Sequence, residues 1–255
     1  MSDNGKLNDR IIAREGKQDY LARVEAPRKR VPVLLASPEA KRLFARFFDS
    51  MQLHTNFISN IARSRLSSDD IEQVEALIAH NIAQALVDMD KALADAEALC
   101  KANHISEFAE YAQDPLDEHV GVISSLSRQY LDLIVRFDQV MPMLATLEID
   151  GIVKKRELDA RIAQCKKLVK RIAYATRELA NGVRRRMNQL AEDTAAPKEA
   201  AGTNIETPRP IKKQPFPNGD SMTLKVNDQF ESEDKDDLSK GSTPDSMSVV
   251  LTSPN

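Results

Sequence analysis

Residues 152 to 172 read IVKKRELDARIAQCKKLVKRI, and from 154 to 186 twelve Lys and Arg stand against Glu157, Asp159 and Glu178. That segment is +9 in a chain whose formal net charge is -3. Cations gathered this way suit a polyanion, because each ammonium or guanidinium that meets a phosphate releases condensed counterions. Placed on a helix, Leu158, Ile162, Cys165, Val169, Ile172, Thr176, Leu179, Val183 and Met187 share one face. Across from it Arg156, Lys166, Lys167, Lys170, Arg171, Arg177, Arg184 and Arg185 form a broad stripe. A helix that needed only solubility would interleave signs, since Glu and Lys four apart stabilise it by about 0.2–0.5 kcal/mol per pair.

Three groups are therefore candidates for phosphate contact. The first is Arg28, Lys29 and Arg30 in APRKRV; the second is Lys154, Lys155 and Arg156 at the start of the basic helix; the third is the stripe Lys166, Lys170, Arg177 and Arg184. Three cations at a helix N-terminus oppose its macrodipole, a conflict that a phosphate would relieve. Arg184 to Arg186 stand at the other end, where the dipole alone accounts for them.

The sequence also contains a competitor for these cations. The segment 68 to 100 carries Asp69, Asp70, Glu72, Glu75, Asp88, Asp90, Asp95 and Glu97 against Lys91, a balance of -7. It can neutralise the basic helix within the chain, or the basic helix can meet an acidic partner protein. Exposed ion pairs are worth only about 0–1 kcal/mol each, too little to explain so complete a separation of sign. The separation favours a positive surface that attracts and orients duplex DNA.

Other chemistries find little support. His54, His80, His104 and His119 are scattered, and there is no HExxH, no Gly-rich phosphate loop and no nucleophile-base spacing. Cys100 and Cys165 stand alone and read as buried thiols, without metal-ligand spacing. The expected counts of catalytic residues, metal sites, cofactors and small-molecule substrates are all none. No run of roughly 18–20 apolar residues marks a membrane span, and MSDNGKLNDR is not a signal peptide, so the expected location is the cytoplasm with no membrane partner.

The elements that position the cations follow from the punctuation. Residues 1–30 read as a flexible basic arm of +3, residues 31–190 as a helical core, and residues 191–255, with seven of the twelve prolines and a balance of -5, as a disordered acidic tail. In RVPVLLASPEAKRLFARFF a short apolar strand ends at Ser37, a good N-cap, before Pro38, a good first helical residue. Ser68 caps the acidic helix, and DEHVGVISSLSRQYLDLIVRFDQVM repeats the theme, with Val120 and Val122 in a strand and a cap at Ser124 or Ser125. Pro142 is expected to kink or split that helix near residue 138, and Asp150 and Gly151 make the last turn.

The two halves align at an offset of 89 residues, which matches both Val pairs and sets Phe48-Asp49 on Phe137-Asp138. Coincidence between two ordinary strand-to-helix turns is the alternative. A true repeat makes the fold mainly α, a helical bundle with a small two-stranded β element and β-α-α repeated twice, ribbon-helix-helix-like. Strands pairing within the chain allow a monomer; otherwise a homodimer is needed.

The run from SSLSRQYLDLIVRFDQVMPMLATL through EIDGIVKKRELDARIAQCKKLVKRI to ELANGVRRRM resembles the AcaB-type regulators of conjugative plasmids and integrating conjugative elements. The shared features are an aromatic-Asp helix, a turn at Gly151 and a long Arg/Lys-rich helix. The resemblance implies a transcriptional regulator that binds DNA through a ribbon-helix-helix-like element. A ribbon that reads bases directs alternate polar side chains into the major groove. Here Arg30, Pro32 and Leu34 alternate with valines, as do His119, Gly121 and Ile123, so phosphate contacts are expected to dominate. The rival class is a non-enzymatic helical interaction protein of a conjugative element.

Overall fold

The alternation in KRVPVLL puts Val31, Val33 and Leu35 on one side of an extended segment, and that side is buried. The computed structural model describes residues 5–17, 24 and 26–195. Helix α1 (Gly5–Lys17) precedes strand β1 (Lys29–Leu35). A helical rod follows as α2 (Pro38–Leu43), a π-turn (Phe44–Phe48), α3 (Asp49–Asn56), a second π-turn (Phe57–Ile61) and a 3-10 turn (Ala62–Ser64). Then come α4 (Ser68–Ala102), strand β2 (Leu116–Val122), α5 (Ser125–Ile149) and α6 (Lys155–Ala195). Gly5–Lys17, placed by the sequence in a flexible arm, is thus helical, with Ile11 buried and Asn8 Nδ2 donating to the Asp114 carbonyl at 3.0 Å. The expected tail lies outside the described residues from 196 onward.

Strands β1 and β2 pair antiparallel as a two-stranded ribbon, with Pro32 opposite His119 at its centre. Pro32 lacks an N–H, which a ribbon tolerates because each strand has one free edge. The central pair, the N-caps Ser37 and Ser124, and the helix starts Ser68 and Lys155 all stand 87 positions apart. The doubled β-α-α order is present, but its offset is 87, not 89, and Phe48-Asp49 is not the counterpart of Phe137-Asp138. A slip of two keeps every side chain on its own face of a strand, so alternation alone could not tell the two registers apart.

Helix α5 is the core of the bundle. Tyr130, Leu133, Ile134, Phe137 and Leu147 are fully buried, and the helix packs against α4, α6 and the rod. Of the kink or split expected near residue 138, the split does not occur, and the helix is continuous through Pro142. Packing of Val140, Met141, Met143 and Leu144 on either side of the proline offsets the one backbone hydrogen bond that proline removes, worth about 1 kcal/mol. The cap of α4 is Ser67, one residue earlier than expected, accepting from Asp70 N. The π-turns carry no sequence signature; the first places Phe44 and Phe48 in a stack at 5.0 Å and sets Phe47 edge-on to Tyr174 at 5.6 Å.

One buried carboxylate joins the two halves. Asp138 on α5, 8% exposed, accepts from Ala36 N at 2.8 Å, Ser37 N at 2.7 Å and Ser37 Oγ at 2.5 Å, at the turn from β1 into α2. Lys41, 2% exposed, donates to the Asp114 carbonyl at 2.6 Å. Burial pulls its ammonium below the usual lysine range, and Asp138 and Asp114 partly restore it. In the second half an amide does the equivalent work: Gln52 accepts from Ile123 N at 3.2 Å and donates to the Gly121 carbonyl at 3.1 Å. Asp138→Asn should lower stability by about 2–4 kcal/mol, since a charged acceptor of buried donors is lost. Thermal melts should show Tm down by roughly 5–15 °C; an unchanged Tm would mean the turn holds without the carboxylate.

Candidate nucleic-acid interface

With Val31, Val120 and Leu35 turned into the core, the other face of the ribbon is open. Paired across it are Arg30 with Gly121, Pro32 with His119, and Leu34 with Asp117. Leu34 is 59% exposed, and Arg30, Pro32, Asp117 and His119 are exposed as well. Sequence reasoning began the second strand at His119, too late to include Asp117, because Asp and Glu are poor strand formers. The outer row is therefore chemically more varied than the valine alternation suggested: a guanidinium, an imidazole, a carboxylate and an isobutyl group. Arg28 packs over Gly121, its Cδ 3.6 Å from where a Cβ would stand. The aliphatic stem of Arg28 lies across the ribbon at that point.

One end of the ribbon opens into a groove lined by Arg28, Lys29, Ser124, Ser125 and Arg128. The sequence had singled out Arg28, Lys29 and Arg30, but not Arg128, which helical spacing leaves looking like an ordinary surface residue. It sits one turn inside α5 and pairs with Asp132 at 3.2 Å. Ser124 caps the helix by accepting from Ser127 N at 3.1 Å. At the opposite end Asp138 already fills the turn into α2, and α1 packs against α2 and β2 there.

Helix α6 buries the apolar face read from the sequence, with Leu158, Cys165, Val169, Ile172, Thr176, Val183 and Met187 inside. Burial pushes the Cys165 and Cys100 thiols up, as expected of structural cysteines. Tyr130 Oη donates to the Val169 carbonyl at 3.2 Å, so the middle of α6 passes the first turns of α5.

The acidic helix does lie beside the basic one, and the rival reading, neutralisation within the chain, is met in part. Arg171 pairs with Asp88 at 3.8 Å and Arg186 with Asp70 at 2.8 Å. Two other α4 carboxylates pair elsewhere: Asp90 with Arg136 of α5, and Glu75 with Arg63 at 3.0 Å. Within α6, Arg161 pairs with Glu157 at 2.8 Å, and Lys155 reaches back to Glu148 at 3.5 Å. Among the described residues, Lys154, Arg156, Lys166, Arg177 and Arg185 meet no carboxylate.

The stripe itself is divided. Lys166 and Lys170 are half-buried, whereas Arg177 and Arg184 are exposed on the flank that meets α3. Arg184 lies over the Phe57 ring at 4.6 Å and donates to Asn181 Oδ1 at 3.1 Å. His54 stands in the same cluster, its pKa pulled below the usual imidazole range by burial first, then by Arg177 and Arg184. Nothing in the spacing joins His54 to this helix, since the contact depends on how the rod with its two π-turns meets α6. At the start of α6, Glu157 and Glu148 supply negative charge near Lys154, Lys155 and Arg156. The macrodipole conflict is thus partly relieved from within.

Among the described residues, no group of three or more His, Cys, Asp or Glu side chains is placed to hold a metal ion. No described helix is long and apolar enough to cross a membrane. No protein-family model and no curated protein matches the chain. A solved structure does: selenomethionine-containing AcaB from uropathogenic E. coli superimposes with a TM-score of 0.61 at 22% sequence identity, covering 70% of this chain and 94% of that one. This chain and AcaB share one fold.

Proposed function

We propose that the chain is a non-enzymatic, DNA-binding regulator of transcription that acts on conjugative transfer genes and binds duplex DNA through the ribbon and the cationic surfaces beside it. The observation that carries this reading is the open face of the β1–β2 ribbon with the Arg28, Lys29 and Arg128 groove at its end. A two-stranded antiparallel ribbon fits the major groove, where donors, acceptors and methyl groups differ for every base pair. Arg30 offers paired donors of the kind that suit guanine, Asp117 an acceptor for the cytosine amino group, and Leu34 an apolar surface for a thymine methyl. The cations at the end of the ribbon and along α6 supply phosphate contacts that fix its register. The fold shared with AcaB and the sequence resemblance to AcaB-type regulators support the same role, and the resemblance alone brings in conjugation.

The test is duplex binding across a series of salt concentrations. The logarithm of affinity should fall linearly with that of salt, with a slope of about -0.9 for each phosphate neutralised. Changing Lys166, Lys170, Arg177 and Arg184 together to Gln should flatten the slope, and Arg30→Ala should weaken discrimination between sequences more than it changes the slope. A helical interaction protein would bind duplex weakly, with no such dependence.

His54 reports on the stripe independently. Its pKa is depressed in the free protein, partly by Arg177 and Arg184, so a phosphate docked on those two should raise it. With the bound midpoint above the free one, affinity should increase as pH falls through the window between them, by at most about tenfold per unit for one proton. An NMR titration of the His54 ring with and without duplex measures the two midpoints directly. His54→Gln should abolish that share of the pH dependence. Identical midpoints would move the phosphate contact away from Arg177 and Arg184.

A further inference from the structure

Building on the DNA-binding reading, we propose that one copy of this chain recognises a DNA site without two-fold symmetry, anchored by phosphate contacts at the end of the ribbon where Arg28, Lys29 and Arg128 meet. A ribbon made by two identical chains repeats its side chains about the dyad, so its target repeats too. This ribbon is made by one chain, and the pseudo-dyad through Pro32 and His119 relates residues that are chemically unlike. Arg30 is related to Asp117, and Leu34 to Gly121. A cation therefore stands where the other half has an anion, and an isobutyl group where the other half has none. No base sequence satisfies both halves equally.

The flanks differ in the same sense. At one end, Arg28 and Lys29 face the start of α5 with Arg128. The counterpart of Arg128 is Lys41, which is buried on the Asp114 carbonyl. The turn beside Lys41 is closed by the internal carboxylate of Asp138, where the α5 turn uses the neutral amide of Gln52. On one side the cation is buried on an internal carbonyl; on the other Arg128, paired at the surface with Asp132 of its own helix, lines an open groove with Arg28 and Lys29. Because the ribbon closes within one chain, no second copy is needed to complete the reading surface.

Selection from random-sequence duplexes with the full chain tests this, combined with native mass spectrometry of the selected complex. The expected result is an enriched motif without dyad symmetry, holding one chain. The double variant Arg30→Asp/Asp117→Arg exchanges a dyad-related pair of exposed side chains and should move the outer base preference to the other half of the motif. Discrimination at the original position should fall roughly tenfold or more, the scale of one bidentate contact. Lys29→Gln/Arg128→Gln should weaken binding about equally for all sequences and reduce the salt slope. An enriched palindrome holding two chains, or salt-dependent binding with no enriched motif, overturns the asymmetric-site proposal while leaving DNA binding intact. No duplex binding at low salt overturns the DNA reading and this inference together.

Discussion

Backbone pairing between β1 and β2 is the constraint on which the remaining structure depends. Each strand is seven residues long and has no other partner in the sheet, so its inward polar groups are satisfied only by the other. Such a ribbon is barely stable alone. It survives because Val31, Val33, Leu35, Leu116, Val120 and Val122 are buried beneath it and because both strand ends run directly into capped helices. Pairing residues so far apart in sequence carries a loop-closure cost, but that cost grows only logarithmically with length. The rod and α4 between the strands are also packed, so much of that ordering is offset by core burial rather than by the ribbon itself. Closing the pair within the chain satisfies the strands without a second molecule, and it leaves the outer face free for chemistry.

The charge distribution follows from this closure. Helices α4 and α6 are the second helices of the two halves, and both spend their apolar faces on α5, which is buried nearly all round. Their charges must therefore point outward or toward each other along one seam. That seam includes the pairs Arg171 with Asp88 and Arg186 with Asp70. The seam accommodates a fraction of the nine excess positive charges counted on residues 154–186. The opposite flank of α6 meets α3 and the π-turn after it, where Arg184 lies over the Phe57 ring and Arg177 and Arg184 stand near His54. Stacking on an aromatic ring holds Arg184 in place without neutralising it, which is the condition a phosphate contact requires.

Much of this architecture was legible in the residues. Ser37 before Pro38, the Ser124 cap and the turn at Gly151, whose φ is 72°, fixed helix boundaries by local chemistry that tertiary context did not override. The apolar face of α6 was legible for the same reason, since a 3.6-residue period over so long a helix admits one solution. What escaped depends on contacts between elements. A period of two cannot distinguish an offset of 87 from 89, so the pseudo-dyad was misplaced and Asp117 was left out of the reading face. The internal helix N-terminus that holds Asp138 could not be foreseen either, because Asp138 stands a hundred residues from Ser37 and resembles any acid on a helix. That α5 is not split at Pro142 has a related reason: propensity describes an isolated helix, and α5 packs against α4, α6 and the rod.

The two strand-to-helix turns show how one layout came to serve two ends. A helix N-terminus presents N–H groups without intrahelical partners and a partial positive charge, and an anion relieves both. In the first half the anion is built in: the Asp138 carboxylate spans from α5 to Ala36 and Ser37, with the Lys41 ammonium buried nearby. That arrangement ties the central helix to the ribbon and leaves little charge to offer solvent. In the second half the tie is a neutral amide, Gln52, so the turn is held without its field being cancelled, and Arg28, Lys29 and Arg128 add to that field. Rigidity is thus concentrated on one side of the pseudo-dyad and electrostatic reach on the other. Had both turns been closed by carboxylates, the ribbon would be firmer but would present no cationic end. Had both been left open, the pairing of the strands would lose the buried anchor that orients it against α5.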